Sequence, residues 1–203
     1  MSRFWTELAA GLTPYVPGEQ PKGTNLVKLN TNENPYGPSP RVLEAIAAVS
    51  GDQLRRYPDP EASALRAAFA RREGLALENV FLGNGSDEVL AHTFQALLKR
   101  EAPLLFPDIS YSFYPVWCEL YGVPYESVPL ADDFSVDISR YSSPNGGVLI
   151  PNPNAPTGML LGLDEVRQLL ESHGDSSWSS TRLTWTLAAS QRRVWYPSTK
   201  TCW

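Results

Sequence analysis

The chain has 203 residues, a net charge of −5 and an apolar share of 42%. That length holds one domain, or one domain and a fragment, with enough apolar residues for a packed core. No apolar run is long enough to span a bilayer, and scattered basic residues under a negative net charge disfavour a nucleic-acid surface. The N-terminus, Met-Ser-Arg-Phe-Trp-Thr-Glu, lacks the apolar stretch of a signal peptide, so a cytoplasmic location is the expectation. Cys118 and Cys202 stand far apart and offer neither metal-ligand spacing nor a disulfide framework. His92 and His173 are isolated, which fits helix-surface or packing roles.

In chain order, residues 3–11 read as a short helix with Phe4, Leu8 and Leu12 on one stripe. Leu26 to Leu29 suits a short extended segment. It leads into Asn30-Thr31-Asn32-Glu33-Asn34-Pro35-Tyr36-Gly37-Pro38, which is too rich in turn formers for regular structure. Ser39 caps a helix with Pro40 at its first position, and Val42, Leu43, Ile46 and Val49 form its expected buried stripe. Asp59 is placed to cap the next helix, again with proline following. Leu65, Ala68 and Phe69 are its expected core face, and Gly74 is its stop.

Residues 80–97 carry the densest signal. Val80-Phe81-Leu82 reads as a strand, Gly83 to Glu88 as a turn, and Val89, Leu90, Phe94 and Leu97 as the apolar side of a helix. The first amides of such a helix lack intrahelical acceptors and sit at the positive end of its dipole, which suits a phosphate. An ordinary capped helix, with Ser86 or Asp87 as cap, accounts for the same residues.

Further strands are expected at Leu104 to Phe106, Tyr125 to Val128 and Val148 to Ile150. Helices are expected from Tyr111 to Gly122 and around Leu163, Val166, Leu169 and Leu170. Alternating strands and helices predict an α/β fold with a mostly parallel sheet flanked by helices. Ligands bind such sheets at the carboxyl ends of strands, and the loops at 83–88, 107–114 and 151–158 all follow expected strands.

Six stretches then carry a resemblance. Leu12-Thr13-Pro14-Tyr15, Asn30 to Pro38, Arg56-Tyr57-Pro58-Asp59, Gly85-Ser86-Asp87-Glu88, Tyr111 to Tyr114 and Asn154-Ala155-Pro156-Thr157-Gly158, in this order, resemble histidinol-phosphate aminotransferases. These are fold-type-I enzymes dependent on pyridoxal phosphate. The resemblance covers residues 1 to about 172, roughly the first half of a family member. It implies an incomplete large domain, and a division into an arm and substrate-side loop (1–38), a partial cofactor domain (39–173) and an aberrant tail (174–203).

The resemblance also implies roles. Gly85, Ser86 and Asp87 would hold the cofactor phosphate, and Tyr111 would stack on the pyridine ring. Tyr57 would reach the phosphate of a partner subunit, so the intact protein would be a homodimer. Tyr15, Asn32 and Tyr36 would lie beside a small-molecule substrate. The family places an asparagine immediately before Pro-Thr-Gly, donating to the cofactor's phenolic oxygen. Ala155 stands there instead, which leaves Asn154 as the candidate donor. An aromatic amino-acid aminotransferase, or a non-catalytic fragment that binds phosphate or pairs with a subunit, is the alternative.

After His173 the chain changes character. Four of six tryptophans fall there, Asp175 is the only acidic residue, and 176–181 has neither strand nor helix periodicity. The family would continue with an apolar strand ending in Asp-Glu-Ala-Tyr, and later with the lysine that holds the cofactor covalently. Back-translating Asp175 to Leu187 with synonymous codons mostly ending in G and shifting the frame spells Leu-Val-Val-Val-Val-Asp-Glu-Ala-Tyr-Val-Asp-Phe. A frameshifted tail is therefore the expectation, with a genuine divergent tail as its alternative. Lys22, Lys28 and Lys99 precede the nucleophile's place, and Lys200 belongs to the tail. No catalytic residue is assigned.

Overall fold

A computed structural model describes residues 3–13, 18–19, 21–23, 26–29, 34, 36–98 and 101–172, and the backbone of 177–181. The chain falls into two compact units, Met1–Pro14 with Glu78–Trp203, and Tyr15–Leu77.

The first unit is a parallel sheet with helices on both faces. Strands β1 (Leu104–Pro107), β2 (Tyr125–Val128), β3 (Gly147–Pro151) and β4 (Ser177–Thr181) lie in the order β2-β1-β3-β4, every neighbouring pair parallel. Alternation along the strands divides the core in two. Leu104, Phe106 and Leu149 pack with Leu90, Phe94 and Leu98 near helix α5 (Gly85–Ala96) and with Tyr114 and Cys118 of α6 (Tyr114–Tyr121). Leu105, Val148 and Ile150 point the other way, onto Val166 and Leu169 of α7 (Leu163–Ser172) and Tyr141 of a 3-10 turn, Ile138–Tyr141. β1 and β3 are buried throughout, as the continuous apolar runs of a two-sided parallel sheet require. Gly122, at φ +63°, ends α6 in the left-handed conformation that spares a side chain from strain.

Several expectations in this unit are corrected. Val80-Phe81-Leu82 forms no strand, because no neighbour among the described residues pairs with it; Val80 is buried and Phe81 packs edge-on against His92, centroids 5.7 Å apart. Conversely, 177–181 does form a strand, in register from Gly147 opposite Ser177 to Pro151 opposite Thr181. The open edge of β3 offers main-chain donors and acceptors, and that pairing does not depend on apolar periodicity. The N-terminal helix α1 is shorter than expected, Glu7–Gly11, with the Thr6 hydroxyl accepting from the amide of Ala9 at 3.2 Å; Phe4 and Leu8 are exposed.

The second unit contains α2 (Pro40–Ala47), α3 (Gly51–Leu54) and α4 (Ser63–Glu73). Ser50 and Gln53 form a reciprocal capping box on α3. Asp59 does hold the start of α4, its carboxylate accepting from the amides of Ser63 (2.7 Å) and Glu61 (3.0 Å). The helix begins three residues later than Pro60 would suggest, because that carboxylate turns the chain first. Those hydrogen bonds, the Ser63 amide foremost, hold the carboxyl below the usual range. Gly74 closes α4 at φ +65°. The expected buried stripes are corrected: Val42, Leu43, Ile46 and Val49, and likewise Leu65, Ala68 and Phe69, are exposed, and Ala70 is the sole buried hydrophobic among the described residues of this unit. Amphipathic spacing puts apolar residues on one side of a helix; some other segment must cover them, and a unit this small lacks one. Arg66 pairs with Glu61 at 2.9 Å and donates to the Leu77 carbonyl at 3.1 Å.

Candidate functional site

The site is built at the start of α5. Gly85 takes φ +78°, and a Cβ there would meet nothing, so glycine is required by backbone conformation. At Gly83 a Cβ would stand 3.0 Å from Oε2 of Glu88 and 3.1 Å from Cγ2 of Val89, so the turn lies close over the helix. The Glu88 carboxylate reaches back and accepts from the amide of Asn84, while the Gly85 amide donates to the Gly83 carbonyl at 2.9 Å. The amides of Ser86 and Asp87 lie before the first intrahelical acceptor of α5, and both residues are exposed. Open amides, the helix dipole and the Ser86 hydroxyl together form a donor set for a phosphate.

Residues 108–113, the loop after β1, connect this turn to the loop after β3. The Tyr111 hydroxyl donates to Oδ1 of Asp87 at 2.8 Å. The Ser110 hydroxyl donates to Oδ1 of Asn154 at 3.1 Å, and Nδ2 of Asn154 donates to the Ile109 carbonyl at 2.9 Å and to Oγ1 of Thr157 at 3.0 Å. Three loops far apart in sequence are thereby tied together. The third is closed internally: Asn152 pairs both ways with the main chain of Leu161, the Asn154 amide donates to the Met159 carbonyl, and the Gly158 amide donates to the Asn154 carbonyl. The Tyr111 ring leans edge-on against Tyr114, centroids 5.5 Å apart at 79°, and is partly buried.

These residues fit one end of pyridoxal phosphate well, with donors for its phosphate beside an aromatic ring suited to stacking. At the other end Asn154 is buried, and both hydrogens of its amide are taken by protein acceptors. Of the remaining expected residues, Tyr57 is fully exposed in the second unit. Tyr36 is exposed, with its amide bonded to Oδ1 of Asn34 at 3.0 Å. Tyr15 and Asn32 lie outside the described residues, as do Lys99, Lys200 and His173. The links through Ser110 and Asn152 had no signal in the sequence beyond a polar residue in a loop, and the Ile109 carbonyl had none.

The family profile described as "Aminotransferase class I and II" matches residues 24–175. The chain belongs to this family. Within it, the chain is similar to histidinol-phosphate aminotransferase 2 of Dechloromonas aromatica (strain RCB), 62% identical over 180 residues, covering 87% of this chain and 51% of that protein. It is also similar to the histidinol-phosphate aminotransferase of Acetobacter pasteurianus, 63% identical over 171 residues, covering 84% and 48%. The chain thus spans about half the length of the curated relatives it matches. Among solved structures, histidinol-phosphate aminotransferase from Sinorhizobium meliloti, in complex with pyridoxal 5'-phosphate, matches at TM-score 0.67 and 26% identity. That match covers 74% of this chain and 42% of the Sinorhizobium one. A Thermus thermophilus aspartate aminotransferase variant, 20% identical with TM-score 0.71 over 88% and 50%, agrees in fold. The fold is accordingly that of fold-type-I aminotransferases, covered in part. No helix among the described residues is long and apolar enough to cross a membrane.

Proposed function

We propose that this chain is the N-terminal part of a histidinol-phosphate aminotransferase, and that by itself it does not catalyse transamination. The whole protein would move an amino group between histidinol phosphate and 2-oxoglutarate as a cytoplasmic homodimer. The observation that carries the reading is 62% identity to a protein of that name across 87% of this chain but 51% of the relative. Bound pyridoxal phosphate supplies the electron sink for amino transfer. The amides of Ser86 and Asp87, with Gly85 shaping the turn, would hold its phosphate, and Tyr111 would orient the flat ring. Tyr57 would reach the phosphate held by the other subunit, with Tyr15, Asn32 and Tyr36 beside the substrate. Asn154 could serve the ring's phenolic oxygen only by releasing Thr157 or Ile109.

The tail from 174 onward supports a frameshift, and residues 1–38 and 39–173 would be the arm and the partial cofactor domain. The missing part would bring the lysine that binds the cofactor and moves the proton, and the aspartate that keeps the ring nitrogen protonated. General acid–base help alone is worth roughly 100- to 10,000-fold, so its loss is decisive. The test is glutamate formation from histidinol phosphate, 2-oxoglutarate and pyridoxal phosphate. The expected result is no turnover by this chain, and a preference for histidinol phosphate over phenylalanine once the frame is restored. Turnover by the chain that Lys200→Ala abolishes would show that the tail supplies the nucleophile, and would overturn the frameshift reading. A preference for phenylalanine would overturn the histidinol-phosphate assignment.

A further inference from the structure

We infer that the Asp87 carboxylate is a positioning group for Tyr111, and that through it the helix start selects a phosphate carried on a planar aromatic ring over phosphate alone. The inference rests on the cofactor reading above and concerns a side chain to which that reading gives only a main-chain role.

Asp87 stands in the first turn of α5, beside the open amides. A carboxylate there suits the helix dipole but repels a phosphate arriving at the same amides, so affinity for the phosphate does not account for it. Its bonded partner does: Oδ1 accepts from the Tyr111 hydroxyl at 2.8 Å, across 24 residues of sequence. Tyr111 needs such an anchor. It lies on residues 108–113, between β1 and α6, outside any strand or helix. Its ring is braced by Tyr114 on one edge and lies near-parallel to Phe113, centroids 6.3 Å apart, and the residue before it is fixed to Asn154. The ring contacts leave the far end of the side chain to its hydroxyl, and Asp87 holds it. The residue that heads the phosphate donors therefore also sets where the aromatic plane stands relative to them. A ligand with a phosphate on a short arm from a flat ring meets both; inorganic phosphate meets only the amides and the repelling charge.

Two probes, pyridoxal phosphate and inorganic phosphate, are titrated into the purified full chain and its variants, following cofactor absorbance and induced circular dichroism, with phosphate measured calorimetrically. Asp87→Ala should weaken pyridoxal phosphate about tenfold, the size of one hydrogen bond to a charged acceptor. Asp87→Asn keeps an acceptor and should restore most of that loss. Tyr111→Phe should cost as much as Asp87→Ala, and the double variant no more than either alone. Inorganic phosphate should bind both Asp87 variants at least as tightly as the parent, which also shows that they are folded. Unchanged pyridoxal phosphate affinity in Asp87→Ala, or additive losses in the double variant, would overturn the positioning role and leave the cofactor reading intact. A parent chain that binds phosphate but not pyridoxal phosphate would overturn the cofactor reading and the ring selection together.

Discussion

Asn152 and Leu161 are paired in both directions, Nδ2 of the asparagine donating to the leucine carbonyl at 3.0 Å and Oδ1 accepting from its amide at 2.9 Å, both bonds buried. The pair closes the base of the loop that carries Asn154, immediately after β3. Asn152→Ala would leave a buried donor and a buried acceptor of the main chain without partners. The expected loss is about 2–4 kcal/mol in urea unfolding, with Asn152→Asp intermediate because it keeps the acceptor. A loss no larger than that of a surface substitution would show that the pair does not hold the loop.

Gly85 tests backbone strain at the helix start. Gly85→Ala meets open space but must keep φ near +78°, so about 1 kcal/mol of destabilisation is expected from conformation alone. Gly83→Ala acts differently, pressing on the Glu88 carboxylate and on Val89. Thermal unfolding of the two variants, with and without pyridoxal phosphate, separates strain from lost ligand contacts. A Gly85→Ala chain as stable as the parent would mean that the turn does not need its left-handed residue.

Alkaline pH should unfold the sheet unit. Burial, with the Glu119 charge adding to it, pushes the Cys118 thiol from 9.0 up to about 12. Burial also raises the Tyr141 phenol, with the Asp108 charge behind it. Both groups are neutral when protonated, and both are raised in the folded state. Their contribution is whole below the unfolded values and is lost as pH rises through the folded ones. Urea midpoints should thus be flat to about pH 8.5 and fall above it, with a shallower fall in Cys118→Ala. A midpoint that rises with pH in that range would contradict the burial of both groups.

The uncovered stripe of α2 should govern behaviour in solution. Leu43 and Ile46 are 55% and 64% exposed, on a helix with no buried residue. Contiguous apolar surface of this kind drives association. The parent chain is expected to elute from gel filtration as assemblies, and Leu43→Glu with Ile46→Lys to shift it toward the monomer. A monomeric parent would show that the stripe is too small to associate.

What the sequence by itself determined is the local grammar: Gly74 and Gly122 as helix stops, Leu90 and Phe94 as the inward side of α5, the buried runs of β1 and β3, and the ordered motifs that place the chain in its family. Such signals lie within a few residues of one another, because dihedral preferences, capping and periodicity are short-range. The tertiary structure decided what depends on distant segments. Val80 to Leu82 has strand residues but no neighbour among the described residues to pair with, whereas 177–181 lacks strand periodicity but lies along an open edge. The spacing of Val42, Leu43 and Ile46 makes a stripe that only another surface could bury. Asp87 and Tyr111, and Asn154 and the Ile109 carbonyl, meet because the sheet brings three loops to one end, and a hydrogen bond from a side chain to a group dozens of residues away leaves no periodic trace in the chain.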